Sequence, residues 1–167
     1  AGLIRSDLDS DGDPDLLLSV GDNLEFAYTY PQPYHGCLWF ENQGDGTFVE
    51  HRLVTFGGCH AAAVADFDGD GDRDVALVSM FNEWYRAETA SVIWLENDGR
   101  QRFTPWQVDT GPTHLATVAC GDLDGDGLSD IVAGGWHVIP PYHRTGSVTT
   151  WMTKTGSATP VETARSR

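Results

Sequence analysis

Aspartates at fixed spacing are the residues of this chain best suited to chemistry. The stretch DFDGDGDRDV, which begins at Asp66, places five aspartates in ten residues. Neighbouring carboxylates repel one another, and each costs free energy to remove from water. The cluster runs directly into the apolar stretch ALV, so the charged segment must be held against a strand. A bound cation would offset the repulsion.

The same cluster occurs three times. DLDSDGDPD begins at Asp7 and DLDGDGLSD at Asp122, so the cluster recurs after about 57 residues, a period typical of repeat architectures. Each copy has aspartate at positions 1, 3, 5 and 9 and glycine at position 6. Ca²⁺ takes six to eight oxygen ligands, which a tight loop supplies from alternating side chains and from the carbonyl of position 7. Glycine at position 6 permits the sharp turn.

The sequence therefore predicts three calcium loops with equivalent ligands. In each loop four carboxylates and one backbone carbonyl would face the ion, and three bound ions would change the formal net charge from −15 to −9. The carboxylates are those of Asp7, Asp9, Asp11 and Asp15, of Asp66, Asp68, Asp70 and Asp74, and of Asp122, Asp124, Asp126 and Asp130, with the carbonyls of Asp13, Asp72 and Leu128.

The loops have three other interpretations. Asp and Gly are also turn formers, so a solvated acidic loop is the simplest alternative. An EF-hand is excluded because position 12, which should be glutamate, is Leu18, Leu77 or Ala133. Catalytic aspartates are disfavoured because three equivalent loops indicate a structural device that is repeated in each unit.

A second pattern alternates with the loops and indicates β-structure. It reads GCLWFENQGDGTF from Gly36, SVIWLENDGRQRF from Ser91 and, in weaker form, SVTTWMTKTGS from Ser147. Trp39, Trp94 and Trp151 are assigned to the same position of this pattern. Short apolar runs flank each loop, Gly/Asn/Asp turns predict hairpins, and no stretch has a helical period.

Four strands in about 57 residues match one propeller blade. The predicted fold is all-β, with about three four-stranded antiparallel blades over residues 1–155 and a polar tail over 156–167. We expect the first unit to lack most of its leading strand and the last to be irregular. Since closed propellers usually have four to eight blades, we expect either part of a longer polypeptide or a ring that is completed by another chain.

The units resemble FG-GAP or VCBS-type repeats, the calcium-loop blades of integrin-α-like and many secreted bacterial β-propellers. The most specific part of the resemblance is the DxDGDGxxD loop followed by an apolar strand, and the likeness covers nearly the whole chain. The resemblance implies a propeller, calcium in the loops and an extracellular or periplasmic setting. It does not imply one activity.

Composition narrows the possible partners. The net charge of −15 disfavours nucleic acid. No apolar segment reaches the roughly 18–20 residues that span a bilayer, and the opening AGLIRSDLD lacks a signal-peptide layout, so export would need residues outside this sequence. The three cysteines form no CxxC pattern. They leave two alternatives open, one disulfide with a free thiol or three buried thiols.

Long aromatic segments join the strand after each loop to the Trp strand. They occupy equivalent places, so we expect them at one end of the blades, where loops often carry function. Their aromatic and arginine side chains are either interface hot spots or small satellite cores. His60 and His114 are expected to be packed or at the surface. The candidate partner-binding residues are Tyr28, Tyr30, Trp84, Tyr85, Arg86, Trp136, His137, Tyr142 and Arg144.

The sequence contains no nucleophile elbow, phosphate-binding glycine loop or haem motif. We therefore expect a non-enzymatic, calcium-binding propeller segment that binds a protein or a glycan or acts as a scaffold. Its partner would be another protein chain or the rest of a longer propeller. The alternative is an accessory propeller of a larger secreted enzyme or c-type cytochrome complex, whose chemistry lies on another domain or chain.

Overall fold

The structure, a computed structural model, describes residues 2–21, 31–136 and 148–154. These residues form eleven β-strands and no helix, as the absence of a helical period predicts. The strands are β1 (Gly2–Ser6), β2 (Asp15–Val20), β3 (Gly36–Asn42), β4 (Phe48–Thr55), β5 (Cys59–Ala65), β6 (Asp74–Ser79), β7 (Val92–Asn97), β8 (Phe103–Asp109), β9 (Leu115–Gly121), β10 (Asp130–Gly135) and β11 (Val148–Trp151).

The strands form three antiparallel sheets in chain order. The first blade is β1-β2-β3-β4, the second is β5-β6-β7-β8, and the third is β9-β10-β11. In every blade the aspartate loop joins the first strand to the second. The predicted all-β blade architecture is confirmed. The third blade has three strands within the described part of the chain, and the predicted tail, 156–167, lies outside it.

The first blade is more complete than predicted. β1 pairs with β2 along its whole length, from Gly2 opposite Ser19 to Ser6 opposite Asp15. The expectation that this unit lacks most of its leading strand is therefore wrong. Only Leu3 and Ile4 are apolar in GLIRS, so the sequence signal is weak, and it is pairing with the apolar strand β2 that orders the segment.

The third tryptophan does not hold the predicted position. Trp39 pairs with Leu17 and Trp94 pairs with Ala76, each two residues after the last aspartate of its loop. Trp151 pairs with Ile131, one residue after Asp130. Because side chains alternate along a strand, a shift of one residue sends Trp151 to the opposite face of its sheet. Thr150 takes the place equivalent to Trp39 and Trp94.

The blades pack face to face, and their apolar faces build the core. We call the face turned toward the next blade in the chain the following face, and the opposite one the preceding face. One core cluster joins the first and second blades, through Leu17 on one side and Leu77 on the other. A second joins the second and third, through Ala76 and Ile131. All of β6 is buried because a blade covers each of its faces.

The cysteines are free thiols. Cys37 and Cys59 are buried in the cluster between the first two blades, and Cys120 is partly buried. Burial raises the pKa of Cys37 to about 12 and raises that of Cys59 as well. The sequence left open either one disulfide with a free thiol or three buried thiols. The structure has no disulfide, so the second alternative applies to Cys37 and Cys59, whereas the Cys120 thiol is only partly buried.

Candidate functional site

The aspartate loops share one backbone conformation. Position 6 has a positive φ in each, 98° at Gly12, 97° at Gly71 and 92° at Gly127, so glycine is required there as predicted. Position 4 is also left-handed. It is glycine in the second and third loops, whereas the first loop has Ser10 at φ 63°.

Side-chain carboxylates bend each loop around itself. Asp7 Oδ2 accepts a hydrogen bond from the Gly12 N–H at 3.1 Å. Asp9 Oδ1 accepts the Asp11 N–H at 3.2 Å, and Asp11 Oδ1 accepts the Asp13 N–H at 2.8 Å. The other two loops repeat all three bonds at 2.9 to 3.2 Å. The aspartates therefore preorganise the loop through contacts that span only a few residues.

The aspartate at position 9 is an anchor as well as a candidate ligand. In the first blade Asp15 is fully buried, and its Oδ2 accepts the Leu8 N–H at 2.9 Å. Its Oδ1 accepts the Asn42 N–H, at the end of β3, at 2.8 Å. This carboxylate thus joins the loop to the third strand. The other blades repeat the pattern with Asp74, Phe67 and Asn97 and with Asp130, Leu123 and Thr153.

A residue at the end of the third strand, or two residues beyond it in the third blade, reinforces this joint, and its role was not predicted. Asn42 Nδ2 donates to the Pro14 carbonyl at 3.0 Å, and Asn97 Nδ2 donates to the Arg73 carbonyl at 3.2 Å. The signal was the Asn in ENQG and ENDG. In the third blade Thr153 Oγ1 donates to the Ser129 carbonyl at 2.6 Å. The third blade therefore keeps this side-chain hydrogen bond although it lacks the ENxG pattern.

The structure brings three carboxylates together in each loop. In every group one oxygen from each residue lies within 4.8 Å of the others. The first and third loops contribute positions 1, 3 and 9, whereas the second contributes positions 1, 3 and 5, so Asp11, Asp126 and Asp74 lie outside the tight groups. The groups are Asp7, Asp9 and Asp15, then Asp66, Asp68 and Asp70, and then Asp122, Asp124 and Asp130.

The side chain at position 7 points away from a ligating role in two loops. A Cβ atom added to Gly44 would lie 2.5 Å from Asp13 Oδ2, and one added to Gly99 would collide with Asp72 Oδ2. These carboxylates therefore lie against the hairpin turns between the third and fourth strands, where φ is 72° at Gly44 and 70° at Gly99 and glycine is favoured. The predicted contribution of position 7, its backbone carbonyl, does not depend on the side chain, as Leu128 in the third loop illustrates.

The donor set fits a hard cation. It consists only of oxygen atoms, and Asp7 Oδ1 is buried without a hydrogen-bond partner among the described residues. Burial is the main cause that raises the pKa of Asp9 and Asp68, and nearby carboxylates add to it. Burial also raises the pKa of Asp74 to about 6. The protein thus holds carboxylates close together at a cost that a divalent ion would remove.

The predicted partner loops divide between packing and exposure. The Trp84 ring packs 5.9 Å from the ring of His114 in the third blade, and Phe81 meets the same imidazole edge-on at 6.4 Å. Trp84 therefore belongs to a satellite core. Tyr85 is 71 % exposed, with the Arg86 guanidinium 5.9 Å from its ring centroid.

Trp136, which is 53 % exposed, follows β10 at the same end of the third blade. The backbone N–H of Trp136 donates to the His114 carbonyl at 2.8 Å. In the same way, the backbone N–H of Met80 donates to the Gly58 carbonyl one blade earlier. His114 thus occupies a place that is glycine in the second blade, and both residues have φ near 60°. This equivalence was not predicted, because no glycine marks the position in the third repeat. The predicted residues Tyr28, Tyr30, His137, Tyr142 and Arg144 lie outside the described residues.

Comparison with known proteins supports the assignment of the repeats. No curated protein gave a match, and no helix among the described residues is long and apolar enough to cross a membrane. A family model described as an FG-GAP-like repeat matches residues 7–77 and 78–133, well over half of the chain. Because this match covers more than half of the chain, and because each antiparallel blade contains the aspartate loop, this chain belongs to the FG-GAP-like repeat family and is a propeller-type module.

Proposed function

We propose that the chain is a non-enzymatic module of extracellular or periplasmic proteins whose three aspartate loops each bind Ca²⁺. The observation that carries this proposal is the threefold recurrence of one oxygen-only cluster in one backbone conformation. A solvated turn does not require three carboxylates, always including positions 1 and 3, to converge in every copy. Millimolar free calcium outside cells would keep such sites filled.

In this proposal the residues of each loop have different roles. Positions 1, 3, 5 and 9 supply carboxylate oxygens, and the carbonyl of position 7 adds another ligand. Position 9 holds the loop to the third strand through its two backbone hydrogen bonds and presents its charge from the buried side. Calcium then neutralises the cluster and stabilises the blade against the unfolded chain, in which the ligands are dispersed.

Calorimetric titration of calcium into chelator-treated protein tests the proposal. We expect about three sites, and loss of one site in an Asp66→Asn/Asp68→Asn double variant. Glu50→Gln and Glu88→Gln, combined in one control variant, remove the same charge from exposed positions and should retain all sites. Absence of calcium binding by the unaltered protein would refute the proposal.

We also propose that the exposed aromatic side chains at the end of the second and third blades bind a partner. Tyr85, beside Arg86, and Trp136 each present a large exposed aromatic side chain, and these three residue types are enriched in binding hot spots. A protein partner suits this combination best, and a glycan is the other candidate. Because Trp84 packs against His114, it supports the exposed residues instead of forming the contact surface.

Binding assays against a glycan array and against candidate secreted proteins would separate these partners. Tyr85→Ala and Trp136→Ala should each weaken the interaction about tenfold or more, the usual cost of losing a hot spot. Val49→Ala, at an exposed apolar residue of β4, serves as the control and should have no effect. Equal binding by all three variants would exclude this surface as the binding site.

A further inference from the structure

The aspartate at position 1 is held differently in the three loops. In the second loop both oxygens of Asp66 accept backbone hydrogen bonds, Oδ1 from the Gly69 N–H at 2.7 Å and Oδ2 from the Gly71 N–H at 3.0 Å. The third loop repeats both bonds on Asp122, at 2.6 and 3.0 Å. In these two loops, positions 4 and 6 therefore already donate to the carboxylate of position 1.

The first loop leaves one oxygen of this carboxylate unpaired. Asp7 Oδ1 is buried and has no hydrogen-bond partner among the described residues, although Oδ2 accepts its usual bond from position 6. Position 4 accounts for the difference. Its φ is 63° at Ser10, 81° at Gly69 and 84° at Gly125. A residue with a Cβ is confined to a left-handed region near φ of about 50–70°, and only glycine readily goes beyond it.

The unpaired oxygen favours a cation in the first loop. A buried acceptor without a partner costs free energy, which a bound cation would recover. Asp7 lies in a tight group with Asp9 and the fully buried Asp15. A cation held by this group could contact Asp7 Oδ1 without competing with a hydrogen bond. In the other two loops it would compete with the N–H of position 4.

The charge around the loops favours the first one as well. Positions 1 to 9 carry five carboxylates and no cationic residue in the first loop, five carboxylates and Arg73 in the second, and four carboxylates in the third. The turn against the first loop, residues 43–47, has no cationic residue, whereas the matching turn of the second blade has Arg100 and Arg102. Arg5 precedes the first loop but forms no ion pair with it in the described part of the chain.

We propose that the first loop is the strongest of the three calcium sites and fills before the other two. This inference rests on the calcium binding proposed above and adds an order of filling to it. One hydrogen bond that the ion need not displace, together with the more negative surroundings, gives the first site an affinity about tenfold higher than the others.

NMR titration of the unaltered chain with calcium tests the order directly. The backbone N–H groups of Gly12, Gly71 and Gly127 each donate to the position-1 carboxylate of their own loop, so each amide signal reports on one site. After treatment with chelator, the Gly12 signal should reach its final position at about one tenth of the free calcium that the other two need.

Calorimetric titration of matched variants assigns the strong site independently. Asp9→Asn and Asp68→Asn remove the same charge from position 3 of the first and second loops. The first variant should lose the strong binding step, and the second should lose one of the weaker steps.

A substitution at position 4 tests the cause of the difference. Gly125→Ser gives the third loop the residue type of the first, at a position with space for a side chain, and should raise the calcium affinity of that site several-fold. Gly46→Ser makes the same change in a hairpin turn with positive φ and open space, and should leave all three affinities unchanged.

The outcomes separate this inference from the calcium proposal on which it rests. An unaltered chain that binds no calcium would refute that proposal itself. Binding at three equal sites, or a strong step that persists in Asp9→Asn, would overturn the order of filling alone. An unchanged third site in Gly125→Ser would overturn the role given to position 4.

Discussion

At the scale of single residues, the aspartate at position 9 of each loop combines a scaffold role with its proposed role as a ligand. Asp74 illustrates this, because its two oxygens accept the N–H groups of Phe67 and Asn97 while burial raises its pKa to about 6. The two hydrogen bonds favour the ionised form of Asp74. Burial opposes ionisation and has the larger effect. A nearby cation would change that balance.

We predict that Asp74 titrates near pH 6 in calcium-free protein and well below that in calcium. Its folded pKa exceeds the ordinary value of 3.8, so the folded state binds more protons than the unfolded state between these two pH values. This group therefore adds stability as the pH falls through 6, and the addition is complete below 3.8. Carboxyl NMR titration with and without calcium measures the pKa, and equal values in both conditions would contradict a nearby ion.

We predict that Ser10→Gly stabilises the protein by about 0.5–1 kcal/mol. Ser10 has φ 63°, a left-handed conformation that costs an L-residue about 1–2 kcal/mol, and the equivalent residues of the other loops are glycine. The greater freedom of glycine in the unfolded chain offsets part of the gain.

Urea unfolding measures the effect of Ser10→Gly. Gly125→Ser is the matched reverse change, because Gly125 has φ 84° and space for a side chain, and it should destabilise by about 1 kcal/mol. A destabilised Ser10→Gly variant would mean that the hydroxyl of Ser10 has a role beyond the backbone.

At the scale of elements, each blade ties its loop to its third strand twice. The buried carboxylate accepts from the strand backbone, and the Asn or Thr side chain of the strand donates back to the loop. This pair of contacts spans more than 20 residues of sequence, so it fixes the loop relative to the sheet and not merely its internal shape.

We predict that Asn97→Ala destabilises the protein by about 1–2 kcal/mol, because its buried amide donates to the Arg73 carbonyl. The cost should be present without calcium, since the bond belongs to the scaffold. Gln43→Ala removes an amide from an exposed hairpin position and should cost less than 0.5 kcal/mol. Thermal or urea unfolding in chelator compares the stability of the two variants. Equal losses of stability would mean that the Asn97 side chain does not hold the loop to the strand.

At the scale of the whole molecule, the proposed calcium sites and the packing between blades would stabilise the same structure. The loops lie between the first and second strands of every blade, and their position-2 side chains enter the core of the first and second interfaces. An ion that fixes a loop therefore also fixes a contact between blades. We expect the three sites to strengthen one cooperative fold.

We predict that chelation lowers the thermal unfolding midpoint. With an affinity of about 0.1 mM and free calcium of about 1 mM, each site contributes on the order of 1.4 kcal/mol, and three contribute roughly 4 kcal/mol. That is a large share of a typical folding free energy. Calorimetric scans in chelator and in millimolar calcium, with magnesium as the control cation, measure it, and identical midpoints would remove calcium from the account of stability.

Local spacing determined much of this protein. The position of glycine in each loop, the turn at Gly12 and the strand that follows were readable from sequence, because their hydrogen bonds join residues only two to five apart. The resemblance to FG-GAP-type repeats was also visible in the loop motif, and the family model confirms it.

Tertiary structure decided what depends on distant residues. The register that turns Trp151 to the other face and the strand pairing that orders β1 both result from which strand lies alongside. The double role of Asp15 likewise needs Asn42, which is brought to it only when β2 and β3 pair. The sequence specifies which side chains are present, whereas pairing and packing between strands determine which residues each side chain contacts.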